Sequence, residues 1–414
     1  MVHVFYVRTF QERLFARRVL YFFDIVSKFN LFGSICPKSL YWVCQRTWWY
    51  DWYPDMAMGL GGLLYKPTDY DPLSLSHLSD WPNFHRYHNF CQTYSPREFT
   101  YESDVDVAFT GAATLLAKSF LGGILYGLPI LFFDIALLWS CDAGWSTRRW
   151  CATHDENKRP PSWSWMSWQG QLLGERWEHA FGAIAYDRKP STLIITPLVQ
   201  WYFTGVGGAQ IAIASDYHKY KHFAQDSKST PPPGWSRAET SSDSYGTDGE
   251  NIYVTPNAPD MKFCFPIPLV DPSCSKITIP TPTSNRITCQ TERAYFHLVK
   301  PKSQYTWERH SLVLDAGGSS SGVLTLSGVR YESYSETGTR IELIAISTGS
   351  IAGNDKFCAH YIPEEHRKHG SIWKFYNVFW IEWTNGVAYR VAVGLVDKEA
   401  WETADRELIN VVLG

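Results

Sequence analysis

Apolar and polar residues alternate in short runs over the last third of the chain, and this alternation constrains the fold more than any other feature. The runs "SKITIPTP", "SLVLDAG", "GVLTLSG", "RIELIAIS" and "FYNVFWIEW" are rich in β-branched and aromatic residues and are separated by turn residues. This pattern predicts a mostly antiparallel sheet. In the clearest hairpin, "FWIEWTNGVAYRVAVG", Asn385 and Gly386 can adopt the positive φ angles of a type I′ turn. On its first strand, Trp380 and Glu382 are expected to face one way and Trp383 the other.

The chain before about residue 170 has a different spacing, with apolar residues three and four apart. In "SDVDVAFTGAATLLAKSF", Ser103 or Asp104 can cap a helix. The apolar stripe of this helix is expected to comprise Phe109, Ala112, Leu116 and Phe120. The sequence therefore predicts an α+β fold, with a helical N-terminal and middle region followed by a mostly antiparallel, β-rich C-terminal region.

Two segments of the C-terminal region have patterns of their own. Residues 216–260 are rich in Ser, Pro and Gly, which predicts a long polar loop. The chain closes with "DKEAWETADRELINVVLG", in which Asp397 can cap a final helix over residues 398–413. One face of that helix would comprise Trp401, Ala404, Leu408 and Val412.

The apolar stretch from Ser119 to Trp139 is long enough to cross a membrane. However, Pro129 interrupts it, and Asp134 would place a carboxylate at a depth where it is costly. We therefore expect two buried helical pieces joined near Pro129, with Asp134 at the margin of the core, hydrogen-bonded or facing water. The residues expected to pack inward are Phe132, Phe133, Ala136 and Leu137.

Charge and cysteine usage exclude several classes of function. The 414 residues include 38 Lys and Arg against 41 Asp and Glu, a balance with no field to attract nucleic acid or an acidic membrane. The nine cysteines show no C-x-x-C spacing, and His85 and His88 have no third ligand nearby, so no metal site is predicted. Reduced cysteines, the absence of glycosylation sequons and an N-terminus unlike a signal peptide predict a cytoplasmic protein.

The stretch "RPPSWSWMSWQG", residues 159–170, raises the question of why three indoles follow a pair of prolines. The alternating letters predict a strand with Trp163 and Trp165 on one face and Ser162 and Ser164 on the other. We expect both indoles to be buried against the helical region, since burial of apolar area stabilises the fold. The competing interpretation is a stacking platform for a sugar or a base, which requires exposed rings.

The same stretch belongs to a collinear set of blocks that resembles the large fungal family of heterokaryon-incompatibility (HET) domain proteins. "RTFQERLFARRVLYF" resembles the last signature of the HET domain, W-T-x-Q-E-x-x-L-S-x-R. "YSPREFTYESDVDVAFTG", "YGLPILFFDIALLW", the "PSWSW-x-S-x-x-G" pattern and "VFWIEWTNGVAYRVAVG" follow in the order of the family. The matching residues are Thr9, Gln11, Glu12, Arg18, Arg97, Asp104, Trp139, Pro161, Ser162, Trp163, Ser164, Trp165, Gly170, Trp380, Glu382 and Trp383.

The resemblance implies an incomplete HET domain. The opening Y-x-x-L-S-Y-x-W-G strand and the I-D-x-x-C-I-x-Q segment of the family are absent, and Arg8, Phe15 and Ala16 replace the usual Trp, Leu and Ser. We therefore expect the HET domain, with its TIR-like α/β layer, to lack its front part. The domains implied are a residual C-terminal end of the HET domain in residues 1–30, a mostly helical HET-associated region in residues 31–180 and a β-rich region in residues 181–414.

The HET family acts in non-self recognition, in which incompatibility leads to regulated cell death. The resemblance implies this role through contacts with other proteins of an incompatibility pathway. HET domains are distantly related to TIR domains, some of which cleave NAD with a glutamate, and Glu12 is the motif-matched carboxylate of the HET signature. Glu12 also fits a surface ion-pair partner of Arg8 on a helix over Arg8–Arg18. Because the parts that would build a nucleotide pocket are missing, we expect no catalysis and no cofactor.

A carbohydrate-active or carbohydrate-binding protein is the alternative, suggested by the 19 tryptophans and the abundant carboxylates. The two hypotheses differ in what they require of the tryptophans. A sugar site requires solvent-facing indoles along a groove, whereas the HET resemblance implies that the indoles are buried.

Overall fold

A computed structural model of the chain describes residues 18–23, 39–44, 47–50, 81–99, 104–141, 147–148, 160–174, 176–177, 184, 192–238, 251–271, 281–299, 310–326, 338–355, 362 and 366–414. Thr9, Gln11 and Glu12 lie outside these ranges, and only the backbone of Arg18 is described. The chain divides into two compact units, Met1–Leu78 and Ser79–Gly414. The predicted boundaries near residues 30 and 180 stay predictions.

The first unit contains a three-stranded antiparallel sheet. Its strands, in spatial as in chain order, are β1 (Arg18–Phe23), β2 (Ser39–Cys44) and β3 (Thr47–Tyr50). The helix predicted over Arg8–Arg18 is wrong at Arg18, which begins strand β1. The mostly helical region predicted from residue 31 is wrong where β2 and β3 are strands. The sequences "RVLYFF", "SLYWVC" and "TWWY" are rich in β-branched and aromatic residues, which pack well on a pleated sheet.

The main α-helices of the second unit are α1 (Phe84–Tyr94), α2 (Asp104–Leu116), α3 (Phe133–Ala136) and α4 (Lys398–Thr403). The side chain of Asn83 caps α1 by accepting a hydrogen bond from the main-chain N–H of Arg86 at 2.9 Å. The predicted apolar stripe of α2 is confirmed. Its buried residues are Val105, Phe109, Ala112 and Leu116, followed by Phe120 just after the helix.

The apolar stretch between Ser119 and Trp139 forms a short hairpin followed by helical turns. Strands β4 (Ile124–Leu125) and β5 (Leu128–Pro129) are joined by Tyr126 and Gly127, whose φ angles are 43° and 78°. Two positive φ angles make a tight hairpin turn, so the first of the two predicted helical pieces is wrong. A 3₁₀ turn then leads into α3. The inward packing predicted for this stretch is confirmed by the burial of Phe132, Phe133, Ala136 and Leu137.

Asp134 lies on α3 and is buried, with 7% of its surface exposed, so it sits deeper than the predicted core margin. Its carboxylate accepts a hydrogen bond from the Ser215 hydroxyl, as the prediction of a hydrogen-bonded side chain required. Burial raises the pKa of Asp134 to about 6, and the Ser215 hydrogen bond acts in the opposite direction. Within the described ranges, no helix combines the length and the apolar character needed to cross a membrane.

The remaining strands of the second unit are mostly short before residue 280 and long after it. Those before residue 280 are β6 (Ser140–Cys141), β7 (Thr147–Arg148), β8 (Trp168–Gln169), β9 (Leu172–Leu173), β10 (Ile194–Pro197), β11 (Tyr202–Thr204), β12 (Gln210–Ala212), β13 (Ser236–Arg237), β14 (Tyr253–Thr255) and β15 (Ala258–Phe263). Those after it are β16 (Ile287–Val299), β17 (His310–Leu314), β18 (Ser320–Thr325), β19 (Thr339–Ala352), β20 (Ile372–Thr384), β21 (Val387–Asp397) and β22 (Arg406–Leu413).

A ten-stranded sheet dominates the C-terminal region, as the alternation predicted. Its order is β10–β19–β20–β21–β18–β17–β16–β11–β12, and β22 pairs with both β16 and β21. An additional antiparallel pairing of β16 with β19 closes strands β16 to β21 into a barrel. Inward-facing residues of a small barrel fill its interior. The buried cluster comprises Ala294, Phe296, Leu298, Val313, Leu324, Leu326, Ile341, Leu343, Ala345, Tyr376, Val378, Trp380, Val391, Ala392, Val396 and Trp401.

The hairpin of β20 and β21 has the predicted turn, with φ angles of 50° at Asn385 and 77° at Gly386. The predicted alternation on β20 is confirmed for its two tryptophans, since Trp380 belongs to the cluster inside the barrel, whereas the indole of Trp383 reaches Glu342 on the outer surface. The register between the two strands shifts after Trp380, where β21 has an extra residue. Trp380 is buried, whereas Glu382 and Trp383, at the end of β20 next to the turn, are both exposed.

In its described parts, residues 216–238 and 251–260, the polar segment is not the long loop that its composition predicted. It includes a 3₁₀ turn at Lys221–Ala224 and contributes to the sheet β13–β14–β15. Phe223 and Tyr253 are buried, and the Tyr253 hydroxyl donates a hydrogen bond to the carbonyl of Phe223 at 2.8 Å. Aromatic side chains thus anchor the segment although most of its other residues are polar.

The final helix predicted over residues 398–413 is wrong beyond Thr403. Asp397 caps α4 as predicted, because its carboxylate accepts hydrogen bonds from the main-chain N–H groups of Glu399 and Ala400 at 2.8 and 3.2 Å. Ala404 is extended, and the chain continues as β22. Strand β22 pairs with β16 along its whole length, so tertiary hydrogen bonding overrides the helical spacing.

Candidate functional site

Residues 160–170 form consecutive turns where the sequence predicted a strand. The main-chain N–H of Ser164 donates to the carbonyl of Pro161 at 3.0 Å, and the Ser164 hydroxyl accepts a hydrogen bond from the N–H of Met166 at 3.0 Å. A 3₁₀ turn at Trp165–Ser167 then leads into β8. The strand prediction fails because serine hydroxyls that bind nearby main-chain groups favour turns.

Trp165 packs against the two long helices of the second unit. Its ring centroid lies 5.9 Å from that of Tyr94 on α1 and 5.4 Å from that of Phe109 on α2, both in edge-to-face geometry. Its Nε1 donates to the Tyr87 hydroxyl at 3.0 Å, and that hydroxyl donates onward to the carbonyl of Gly127. Burial raises the pKa of the Tyr87 hydroxyl, which keeps it protonated as a donor.

Trp163 points to a different set of neighbours. Its ring packs edge-to-face on Tyr126 and Phe133, and its Nε1 donates to the carbonyl of Asn285, just before β16, at 3.2 Å. Its own carbonyl accepts a hydrogen bond from Trp139 Nε1 at 2.8 Å. The predicted burial of both indoles is confirmed, since each has 0% of its surface exposed. The stacking-platform interpretation of Trp163 and Trp165 is wrong for the same reason.

Ser162 connects this segment to the barrel. Its N–H donates to the carbonyl of Gly414 at 3.0 Å, and its hydroxyl donates to the same carbonyl. The Ser162 hydroxyl also accepts a hydrogen bond from the N–H of Arg390 on β21 at 2.8 Å. The N–H of Gly414 donates to the carbonyl of Ala388 at 2.9 Å, so Ser162 binds both β21 and the residue that follows β22.

Arg390 carries a guanidinium group that is buried between two aromatic rings. The group lies 3.9 Å from the ring centroid of Trp139 and 4.6 Å from that of Phe379. It donates to the carbonyl of Leu137 at 2.8 Å and to the carbonyl of Trp139. Burial lowers the pKa of Arg390, and the positive charge of Arg176 acts in the same direction. Two carbonyls and two ring faces surround the cation.

These contacts define a tryptophan junction, comprising Trp139, Ser162, Trp163, Trp165 and Arg390. Four of the five were candidate residues from two sequence blocks, and the structure joins the blocks through the hydrogen bond from Trp139 to Trp163. The sequence reasoning missed the role of Arg390. The available signal was a single arginine within the otherwise apolar run "VAYRVAVGLV".

The other motif-matched residues of the second unit lie around or outside this junction. Arg97 is buried, and its main-chain N–H donates to the carbonyl of Tyr94 at 3.1 Å. The N–H of Gly170 donates to the carbonyl of Ser95 at 3.4 Å, which ties the end of the turn segment to the end of α1. Asp104 is exposed in the first turn of α2, where a carboxylate interacts favourably with the helix dipole.

Trp383 belongs to a second group of side chains, on the outer surface of the barrel. We call it the barrel-face cluster; it comprises Arg293, Tyr295, Arg340, Glu342, Trp383 and Glu407. Glu342 lies at its centre, because one carboxylate oxygen accepts hydrogen bonds from Arg293 at 3.2 Å and from Trp383 Nε1 at 3.0 Å. The Tyr295 hydroxyl donates to the other oxygen at 3.5 Å.

The outer members of the barrel-face cluster are also paired. Arg293 forms an ion pair with Glu407 at 2.7 Å, and this hydrogen bond is the main cause of the raised pKa of Arg293. The guanidinium of Arg340 lies 3.9 Å from the ring centroid of Tyr295. Trp383 has 39% of its surface exposed and Tyr295 has 37%. Large aromatic and arginine side chains are thereby held in place at the surface.

Neither group has the composition of a metal centre. Over the described ranges, no set of three or more His, Cys, Asp or Glu side chains is arranged to hold a metal ion. His88, one of the histidines considered in the sequence, is buried with its ring edge-to-face on Trp177. Comparisons with protein-family models, with curated proteins and with solved structures found no match to this chain.

Proposed function

We propose that this protein acts in fungal non-self recognition of the heterokaryon-incompatibility type, in the cytoplasm and through contacts with other proteins. On this proposal, residues 1–30 correspond to the last signature of a HET domain, and the protein works through contacts, without catalysis or a cofactor. The support is the collinear set of sequence blocks, together with the exposed position of one motif-matched residue, Trp383.

The barrel-face cluster is the observation that carries a role in protein contacts. Tryptophan, tyrosine and arginine contribute most of the energy at many protein interfaces. Here the hydrogen bonds to Glu342 fix Trp383 and Arg293 before any partner arrives, which reduces the entropy that binding would cost. A fixed aromatic and charged surface is suited to recognising another protein.

The carbohydrate alternative is less well supported at the same surface. A sugar platform needs open ring faces, but one face of Tyr295 is covered by Arg340 at 3.9 Å. Trp383 would then be the one ring of the cluster left to stack on a sugar. Its indole N–H already donates a hydrogen bond to Glu342. Trp163 and Trp165 contribute nothing to such a site because they are buried.

Expression in a filamentous fungus tests the proposal. The unsubstituted chain is expected to arrest growth or kill fused cells in at least one strain pairing. Trp383→Ala and Arg340→Ala are expected to abolish that response, whereas Ile372→Ala, at a residue that is 66% exposed on the same strand as Trp383, is expected to retain it. A response that persists in both cluster variants, or no response in any pairing, would contradict the proposal.

Incubation of the purified chain with NAD tests the absence of catalysis. We expect no release of nicotinamide above a protein-free control, measured by chromatography. Release that disappears in the Glu12→Ala variant would show that the chain is an enzyme and that this part of the proposal is wrong.

A further inference from the structure

An apolar hairpin of β11 and β12 lies at one end of the large sheet. Strand β12 is the terminal strand of that end and, among the described residues, pairs only with β11. All residues from Val206 to Ala212 are exposed, with 76% of Val206 and 43% of Ile211 accessible to solvent. At the hairpin tip, a Cβ added to Gly207 or Gly208 would meet no atom within 4 Å.

Apart from its shortness, the outer edge of this hairpin lacks the features that normally protect an edge strand. Exposed edges in soluble proteins are usually protected by charged side chains, prolines or bulges. The segment "TGVGGAQIAIA", residues 204–214, has neither charge nor proline, and β11 and β12 pair without a register shift. The edge of β12 is therefore open to pairing with another strand.

The hydrogen bonds of the hairpin identify the groups that point away from the sheet. Gly205 N–H donates to the carbonyl of Ala209, and Ile213 N–H donates to the carbonyl of Trp201, each at 2.8 Å. In an antiparallel pair, residues alternate between those bonded to the partner strand and those bonded outward. Gln210 therefore directs its N–H and C=O groups outward, and so does Ala212, two residues further on.

We propose that β12 pairs antiparallel with β12 of a second copy of this chain, about a two-fold axis at Ile211. In this register the outward N–H and C=O groups of Gln210 form hydrogen bonds with those of Ala212 in the other copy. The two-fold axis repeats the same pair of hydrogen bonds on the other side of Ile211, so both edges have their main-chain groups paired. Ile211 lies opposite Ile211 of the other copy in a non-hydrogen-bonded pair, which removes both side chains from water. No like charges meet, because residues 204–214 carry none.

A second copy fits this edge better than a lipid surface does. A membrane would take up the apolar tip at Val206 but would leave the outward N–H and C=O groups of Gln210 and Ala212 without partners. The pairing involves a strand of three residues, so the interface lies at the small end of specific interfaces and the dimer dissociates on dilution.

Disulfide trapping tests the register directly. Opposed residues in a non-hydrogen-bonded antiparallel pair have Cα atoms about 4.5 Å apart, within the range that a disulfide can span. Under mild oxidation, Ile211→Cys is expected to form a covalent dimer that the unsubstituted chain does not form. Gln210→Cys is the matched control, because its two copies are offset along the strands beyond the reach of about 7 Å. Equal trapping at both positions, or at neither, would overturn the proposal.

Sedimentation velocity over a wide range of protein concentration tests the dimer without oxidation. The unsubstituted chain and Val206→Lys are expected to associate as the concentration rises, whereas Ile211→Lys is expected to stay monomeric with an unchanged unfolding midpoint. Trp383→Ala is expected to associate normally, which separates this proposal from the function proposed for the barrel-face cluster. Pairing through β12 would be contradicted if the unsubstituted chain stayed monomeric at every concentration. It would also be contradicted if Val206→Lys abolished association while Ile211→Lys did not.

Discussion

Tryptophans outside the barrel and tryptophans of the barrel use their indole N–H groups differently. Outside it, four N–H groups donate to main-chain carbonyls: Trp139 to Trp163, Trp163 to Asn285, Trp165 to Gly127 (shared with the Tyr87 hydroxyl) and Trp235 to Ile267. The buried N–H of Trp177 has no hydrogen-bond partner among the described residues. In the barrel and the adjoining helix α4, they donate to carboxylates: Trp373 to Asp397, Trp383 to Glu342 and Trp401 to Glu292. Hydrogen bonds of the first group hold main-chain segments in place, and those of the second group hold side chains in place.

The difference follows from how each region satisfies its backbone. Strands β16 to β21 bond their main-chain carbonyls to one another in long ladders, so few are left for side chains. Around residues 119–170, helices and strands are short, and many carbonyls lie in turns. A buried carbonyl without a partner is costly, and an indole can supply both a donor and a large apolar surface. The three indoles behind Pro160 and Pro161 thus lie where regular structure is sparse.

The most damaging change to this arrangement is expected at Trp165. Trp165→Ala removes a fully buried ring and its donor to Tyr87, so the free energy of unfolding should fall by about 3–5 kcal/mol. Urea unfolding followed by circular dichroism measures the loss. Trp383→Ala is the control at an exposed barrel position, and an equal loss in both variants would remove the distinction between the two regions.

Asp134 is a buried carboxylate outside the barrel, flanked by buried apolar residues on α3. Its pKa is raised from 3.8 to about 6, so the folded state loses stability as the pH rises from about 4 to about 6, by up to about 3 kcal/mol. The contribution is fully present below the unfolded pKa and is lost above the folded pKa. Asp134→Asn is therefore expected to stabilise the protein at pH 7 and to have little effect at pH 4, measured by thermal unfolding at each pH. Asp104→Asn, at an exposed residue, is the control.

Ser162→Ala should have an intermediate effect. The change removes the hydroxyl that accepts from Arg390 and donates to Gly414, which leaves a buried N–H without its acceptor. We expect a loss of about 1–3 kcal/mol in the free energy of unfolding. Ser319→Ala, at an exposed position in the turn before β18, should change it by less than about 0.5 kcal/mol. Similar losses in the two variants would show that Ser162 does not link the segment to the barrel.

The smallest effect is expected at the surface of the barrel. Trp383→Phe keeps an aromatic ring but removes the donor to Glu342, whose half-buried carboxylate retains its hydrogen bonds from Arg293 and Tyr295. The free energy of unfolding should change by about 0.5 kcal/mol or less. A loss above that of Ser162→Ala would show that the barrel-face cluster stabilises the fold, which would weaken its proposed role in contacts.

Sequence patterns predicted local features and burial better than they predicted the junction. The type I′ turn at Asn385 and Gly386 and the buried stripe of α2 depend on nearby residues, and both were correct. The burial of Trp163 and Trp165 was also correct, because large apolar rings are rarely left in water. Their conformation was not, since serine hydroxyls decided it locally.

Contacts between distant segments account for the features that could not be predicted. Residues 406–413 carry a helical spacing that only their pairing with β16 overrides. The hydrogen bond from Trp383 to Glu342 depends on the pairing of β20 with β19, which the alternating letters do not specify. Arg390 and Trp139 are more than two hundred residues apart in the chain, so a resemblance between separate blocks gave no indication that the two side chains stack.

Hydrogen exchange of the indole N–H groups tests most directly whether buried tryptophans fasten the backbone outside the barrel. The protein would be labelled with ¹⁵N-tryptophan, the indole resonances assigned by single Trp→Phe variants, and exchange followed by NMR. We expect the N–H protons of Trp139, Trp163 and Trp165 to exchange only through global unfolding, and that of Trp383 to exchange through local opening. Exchange of Trp139 and Trp163 as fast as that of Trp383 would contradict the account.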